Sequence, residues 1–362
     1  MNNTISILAD EAILLLKQLI ATPSFSKEED QTASLLSVFF AKKGMPCFRI
    51  GNNVYASCAH FDERKPTILL NSHHDTVKPN KAYTLNPFSA VEKDGKLYGL
   101  GSNDAGGCLV SLLAAFLYFY DHANLKYNLV YAASAEEEIS GKNGIEYLMN
   151  SPSFNPPQRQ WAFALVGEPT QMQMAVAEKG LLVVDCKSTG VAGHAAREEG
   201  DNAIYKALKD IEWFRSFRFP KVSDFLGPVK MSVTVVETEN KAHNVVPSQC
   251  NFVVDIRVNE LYGFEELLAI IKSHVTCAVQ PRSLRLKSSS IAIDHPIVKA
   301  GLEMGRTCYG SPTTSDKALI PFPALKIGPG DSARSHTADE YIYLNEIREG
   351  IELYVQLLSK VL

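Results

Sequence analysis

The chain has 362 residues, 46% of them apolar and 21% charged, with a formal net charge of −4. That length suits two domains better than one core, and the composition is that of an ordinary soluble globular protein. No basic block of the kind that tracks a phosphate backbone is present, so nucleic acid is not an expected partner.

The opening stretch, MNNTISILADEAILLLKQLI, lacks a basic start, and Asp10 and Glu11 interrupt its apolar run, which argues against a signal peptide. Ile5, Leu8, Ala12, Leu15, Leu16, Leu19 and Ile20 share one helical face, so a helix is predicted over Ile5–Ala21. TPSFSKEED reads as a loop and helix cap, and a second helix ends near Gly44. Strands follow near Asn53–Ala59 and Thr67–Asn71, then a buried helix after Gly106–Gly107. Its apolar run, Cys108–Tyr120, is too short to span a bilayer, so no membrane partner is expected. A strand at Asn128–Ser134, a helix after Gly141 and a strand at Ala162–Gly167 complete an alternation that suggests a largely parallel sheet flanked by helices.

The middle of the chain has a different rhythm. LLVVDCKSTG, a helix near Asn202–Phe217, KMSVTVVETE, CNFVVDIRV, the helix GFEELLAIIKSHV and RLKSSSIAI give a β-α-β-β-α-β order, the ferredoxin-like one. Helix and strand patterns return from Pro296. The expected α/β architecture is a domain of residues 1–176 and 291–362 with an α+β domain, 177–290, inserted into it. Seven cysteines, an odd number with no CxxC, point to free thiols and a reducing cytoplasm.

Chemistry-bearing residues recur at strand ends. Thr67–Asn71 runs into Ser72, His73, His74 and Asp75. Imidazole is a common metal ligand whose second nitrogen needs a carboxylate partner. The strand ending at Ser134 leads to Glu136, Glu137 and Glu138, three adjacent acids that repel one another unless cations are near. Glu168 follows another strand, Asp104 precedes a glycine-rich turn, and His336 follows the strand Ala324–Ile327. Singly, each reads as a solvated loop group. Together, at the carboxyl edge of one parallel sheet, they read as a site. Histidines with carboxylates suit a divalent ion, and a shared aspartate suits two.

These segments resemble the motifs of the dinuclear zinc amidohydrolases that include acetylornithine deacetylase, succinyl-diaminopimelate desuccinylase, aminoacylase and glutamate carboxypeptidase. SHHDTV is similar to their GHxDVV, LYGLGSNDAGG to YGRGxxDxKGG, and SAEEEISGKNG to a T-x-DEE-x-x-G-x-x-G pattern. VGEPT is similar to their GEPT, and AHNVVPSQCNFVVDIR to an N-x-(I/V)-P…D-x-R pattern. The matches run in order from TPSFSKEE to SHTADEYI, and within the family the wording is most like acetylornithine deacetylase.

The resemblance implies a zinc-exopeptidase-like fold whose inserted domain acts as lid and dimerisation surface of a homodimer. It implies two divalent metals, zinc expected, with cobalt or manganese able to substitute. His73 and Glu168 resemble the ligands of one ion, Glu138 and His336 those of the other, and Asp104 the bridge, followed by a cis peptide. Asp75 resembles the residue that orients His73, and Glu137 the general base. His194 matches a lid histidine that stabilises the oxyanion, often across a subunit boundary. Arg257 and Asn244 match residues that grip a substrate carboxylate, and Gly328 lies in a loop that contacts substrate. The implied reaction is hydrolysis of an N-acyl amino acid, N-acetylornithine to ornithine and acetate in arginine biosynthesis. N-acetylcitrulline, an N-succinyl amino acid, succinyl-diaminopimelate, a dipeptide or a carboxypeptidase substrate are the alternatives.

Ser72, Glu136, Leu100 and the Ala105–Gly106–Gly107 wording depart from the family pattern without touching a ligand or the base. A non-catalytic sensor of acyl amino acids on the same scaffold is the rival from another class, and Glu137 argues against it, because a binder needs no base beside metal ligands. His74, next to the expected ligand, should point to the opposite face of the strand end. Trp161 and Trp213 read as packing groups.

Overall fold

The structure, a computed structural model, describes residues 3–197 and 199–362. It divides into two compact units: the chain up to Val176 with 290–309 and 315–362, and residues 177–289 with 310–314.

The first unit is built on parallel strands. Thr67–His73 pairs in parallel with Asn128–Ser134 on one side and Trp161–Val166 on the other, and Ala324–Lys326 runs parallel to Trp161–Val166. Asn53–Ser57 lies antiparallel beyond Asn128–Ser134. His73 stands opposite Ser134, Asn71 opposite Val166, and Val166 opposite Lys326, so four strands end within two residues of one another. Both faces of the sheet are covered, which is why every residue of Thr67–His73 is buried. Ile68 and Leu70 face a core formed with the helices Asn3–Ile20, Gly107–Phe119 and Leu344–Ser359. Leu69, Val130 and Ala164 face a second core, closed by Ile145, Leu148 and Phe154.

The central helix Gly107–Phe119 explains its own greasy sequence. The segment Ser102–Phe119 is long and apolar enough to cross a membrane, but 83% of it is buried inside the protein, as a core helix must be. Its entry is tight: a Cβ added to Gly106 would stand 2.4 Å from the Gly101 carbonyl oxygen. Only glycine permits that approach.

The second unit carries the β-α-β-β-α-β order. Its strands lie in the order Lys230–Thr238, Gln249–Val258, Gly180–Thr189, Ala278–Pro281, all antiparallel. Gly180–Thr189 and Gln249–Val258 alternate between buried and more exposed residues, and their buried side chains form a core with the helices Ala203–Ser216 and Phe264–His274. Asn202 caps the first helix by accepting the Ile204 N–H at 2.9 Å.

Two expectations need correction. The last strand of this sheet is not RLKSSSIAI but the short Ala278–Pro281, and only Ser289–Ser290 of the expected segment is a strand, in the other sheet. The real last strand is only four residues long and stops at a proline that cannot donate to a ladder. Residues 310–314 also fall in the second unit rather than with 291–362. Gly310 lies against the Phe225 backbone, and Thr314 Oγ1 donates to the Lys179 carbonyl at 3.1 Å.

Phe116 has no exposed surface, and its ring centroid lies 6.4 Å from that of Phe40 and 6.0 Å from that of Tyr131. Phe116→Ala is expected to lower the unfolding free energy by about 3–5 kcal/mol, read from urea denaturation. A loss below about 1 kcal/mol would contradict the packing described.

Candidate metal centre and active site

These strand ends gather the expected residues of the first unit. His73, the last residue of its strand, is 1% exposed. Its Nδ1 lies 3.1 Å from the Asp75 carbonyl and 3.3 Å from Asp75 Oδ1, so it carries the proton on that side. Its Nε2 then faces Asp104 at 3.4 Å, Glu168 at 3.8 Å and Glu137 at 3.9 Å. His336 Nε2 lies 2.9 Å from Glu138 Oε2 and 3.7 Å from Asp104 Oδ2. Asp104 therefore presents one oxygen to each histidine, the placement a bridging carboxylate needs. The Asp104–Ala105 peptide is cis.

Asp75 does more than orient His73. Its Oδ1 accepts the Glu137 N–H at 3.1 Å, its Oδ2 accepts the Glu138 N–H at 3.2 Å, and Oδ2 also accepts the Ser26 hydroxyl at 2.6 Å. One carboxylate thus ties the histidine to the turn that bears two further acids. His74 points away, as strand alternation requires. Its Nε2 lies 2.9 Å from the Asn52 carbonyl and its Nδ1 2.9 Å from Thr32 Oγ1. Burial pushes its pKa down to about 4, so the ring is neutral, Nε2 donates to the carbonyl and Nδ1 accepts from the threonine.

The charges at this site are unbalanced by the protein alone. Burial pushes the Glu137 carboxyl well above its ordinary range; His73 opposes the shift, while Glu168, Asp316 and Glu138 add to it. Burial also raises Glu138, although His336 opposes it. Burial disfavours a charged His73, yet Asp104, Asp75, Glu137 and Glu168 together hold its pKa well above the usual value. The hydrogen bond to Glu138 lifts His336 to about 9. His73 Nε2 is buried with no hydrogen-bond partner, an orphan that native proteins rarely tolerate. A divalent cation removes both problems. The ligating atoms of His73, Asp104 and Glu138, and those of His73, Glu137 and Glu168, each lie within 4.8 Å of one another. This nitrogen and oxygen donor set fits zinc and similar divalent ions.

The departures from the family motifs have local reasons. Ser72 Oγ donates to the Gly167 carbonyl at 2.8 Å, joining two strand ends. Glu136 turns out of the site and accepts from Asn143 Nδ2 at 2.8 Å. Leu100 is buried, 4% exposed.

The remaining expected residues are placed differently. In the second unit, Arg257 is held by Asp255 in a two-pronged pair, Nε–Oδ1 2.8 Å and Nη2–Oδ2 3.0 Å. His194 is exposed on a short strand, Gly193–His194, that pairs with Val245–Val246, and its Nδ1 accepts the Ala196 N–H at 3.2 Å. The exposed Asn244 accepts the Ala195 N–H at its carbonyl. Gly328, in the first unit, is buried. Its N–H donates to Thr170 Oγ1 and its carbonyl accepts the N–H groups of Thr170 and Met172.

Sequence reasoning missed three buried acids beside the site. Glu340 accepts the N–H groups of Gly101, Asn103 and Asp104 at 2.8–3.1 Å, holding the Asp104 loop, and burial with the charge of Asp104 pushes it up to about 8. Asp316 accepts a 2.5 Å hydrogen bond from Ser134. Glu29 accepts the Glu136 N–H. An acid in a polar loop carries no periodic signal that marks it as buried.

Comparison with known proteins gives a family match. The model of peptidase family M20/M25/M40 matches residues 69–360. A succinyl-diaminopimelate desuccinylase of Ruegeria sp. is 27% identical over 97% of this chain and 95% of its own. An acetylornithine deacetylase of Proteus mirabilis is 29% identical, covering 96% of each chain. The two enzyme names stand at similar distance, so the resemblance to acetylornithine deacetylase does not single that enzyme out. The Bacillus subtilis YXEP protein, described as a dinuclear metal binding peptidase of the M20 family, superposes with a TM-score of 0.72 at 14% identity over 98% of each chain.

Asp316 gives a pH test. Burial raises its carboxyl from 3.8 to about 6, so the folded chain keeps this proton after the unfolded chain has lost it. Its contribution to stability therefore falls as pH rises from about 4 to about 6. In the metal-free protein, Asp316→Asn is expected to raise the unfolding free energy at pH 7.5, on the order of 1–3 kcal/mol, with the gain vanishing near pH 4. Urea denaturation at the two pH values checks it, and an equal effect at both would contradict the raised carboxyl.

Proposed function

This chain belongs to peptidase family M20/M25/M40, and on that premise we propose that it hydrolyses the amide bond of an N-acyl amino acid, N-acetylornithine first among the candidates. The observation that carries the reading is the crowding at His73: a buried, otherwise unpartnered imidazole nitrogen ringed by Asp104, Glu137 and Glu168, with Glu138 and His336 beside Asp104. His73 with Glu168, and Glu138 with His336, would hold two divalent ions, with Asp104 shared. When bound, such ions polarise the scissile carbonyl and acidify the attacking water.

The protein's own groups do the rest. Glu137 takes the proton of the attacking water and delivers it to the leaving amine, a task suited to a buried carboxyl with a raised pKa. Asp75 fixes the ring of His73 and the backbone of Glu137 together, so base and ligand keep their separation. In the second unit, His194 serves as oxyanion donor and Asn244 and Arg257 as the carboxylate grip. A substrate carboxylate must compete with Asp255 for the guanidinium of Arg257. Homodimerisation through this unit is part of the same reading. Its edge strand Lys230–Thr238 bears the exposed Val235 and Val236.

N-succinyl-diaminopimelate is the second reading, supported by the desuccinylase relative that matches nearly the whole chain. Zinc-reloaded protein is expected to release amine from one of these two substrates, and Glu137→Gln to lower turnover by at least roughly a hundredfold without loss of metal. A panel that leaves N-acetylornithine, N-acetylcitrulline, N-succinyl-diaminopimelate and dipeptides intact would sink the proposal. Light scattering is expected to return twice the chain mass of 39.9 kDa, and a monomer in solution would remove the dimer from it.

A further inference from the structure

Glu29 is a buried acid that the hydrolytic scheme leaves without a task. It has no exposed surface, and among the described residues no lysine or arginine pairs with it. Burying a carboxylate is costly unless hydrogen bonds replace its water. Here Oε1 accepts the N–H of Lys27 at 2.6 Å and of Glu136 at 3.2 Å, and Oε2 accepts Asn52 Nδ2 at 2.9 Å.

These partners lead to the active site by two routes. Glu136 opens the turn that carries Glu137 and Glu138, and its backbone is left-handed, φ 54° and ψ 21°, an unfavourable conformation for a side-chain-bearing residue. The next two amides of that turn, Glu137 and Glu138, are already held by Asp75. Asn52, on the other side of Glu29, takes His74 Nε2 at its carbonyl, and His74 follows His73 directly. Asn52 is itself oriented, because its Oδ1 accepts from Arg49 Nη2 at 2.7 Å.

We propose that Glu29 is a positioning residue: with Asp75 it clamps three consecutive amides, Glu136 to Glu138, and links them through Asn52 to the strand end that bears His73. The clamp sets where the Glu137 and Glu138 carboxyls project relative to His73. The inference rests on the reading of Glu138 as a metal ligand, so its test reads metal binding separately from turnover.

The orientation of Asn52 supplies that test. Glu29→Gln keeps an acceptor for the two backbone amides but turns an NH2 group toward the NH2 of Asn52, which cannot flip without abandoning Arg49. Asn52→Asp alone sets two carboxylates face to face. The double variant, Glu29→Gln with Asn52→Asp, restores one donor and one acceptor and keeps the bond to Arg49. Zn²⁺ affinity, measured by competition with a chelating dye, is expected to fall roughly 10–100-fold in each single variant. The turnover number is expected to fall with it while KM changes little, and the double variant to return within about threefold of wild type.

Wild-type Zn²⁺ affinity and turnover in Glu29→Gln would overturn the proposal. So would a double variant that stays as impaired as the singles, with thermal unfolding lowered in parallel, since Glu29 would then serve only the fold. Should Glu29→Gln fail to fold, a double variant that folds and binds Zn²⁺ supports the proposal and one that does not overturns it. A wild-type chain that binds no Zn²⁺ refutes the metal centre itself and the positioning role with it.

Discussion

Four carboxyl groups within 4.0 Å of one buried imidazole are the constraint from which the rest of this structure follows. Like charges so close cannot all ionise in a desolvated pocket unless cations sit among them. The protein assembles this arrangement where it is cheapest, at the ends of parallel strands, with the sheet buried on both faces beneath. Backbone amides then hold the acids that are not meant to meet a cation. Glu340 takes three N–H groups from the Asp104 loop, Asp75 takes two from the glutamate turn, and Glu29 takes a further one. The acids facing His73 Nε2 form one tier, and the acids that bind amides form a supporting one. Outer partners of this kind orient the inner groups of a metal site.

The division explains how Glu137 and Glu138, adjacent in sequence, serve different ends. Both stand on one short helical turn, Glu137–Ile139, entered through a left-handed residue and left through another, Ser140. Asp75 grips the two amides with separate oxygens. Glu138 is thereby directed to His336 and Glu137 toward His73 and Glu168. Burial raises the carboxyl of Glu137, in keeping with the base role proposed for it.

Much of this was legible in the chain because strands announce themselves. The apolar run Ile68–Leu70 and its neighbours marked a doubly covered sheet, and a histidine or acid just past each strand marked the ligand edge. Motif wording then identified Asp104, whose loop has no periodicity to read. What stayed hidden was of two kinds. Ala278–Pro281 is a four-residue strand whose proline disguised it, while only Ser289–Ser290 of RLKSSSIAI pairs as a strand. Glu29, Asp316 and Glu340 are acids in polar stretches, where the usual expectation is solvent. Their burial comes from amides and hydroxyls remote in sequence, such as Glu136 for Glu29 and Ser134 for Asp316. The backbone groups of Gly328 are likewise engaged by residues remote in sequence, Thr170 and Met172.

In the proposed reading, bond cleavage and substrate choice draw on different residues. The proposed ligands and base all belong to the first unit, whereas the proposed carboxylate grip, Asn244 and Arg257, belongs to the second. The proposed division would accommodate relatives named as a desuccinylase and a deacetylase at similar identity, 27% and 29%. The pair between Arg257 and Asp255 sharpens the point. A guanidinium already engaged at 2.8 and 3.0 Å by a fork-matching carboxylate yields only to a group that repeats that geometry. On the proposed reading, the second unit would select for a planar carboxylate before any choice of acyl group, and both an N-acetyl and an N-succinyl amino acid carry one.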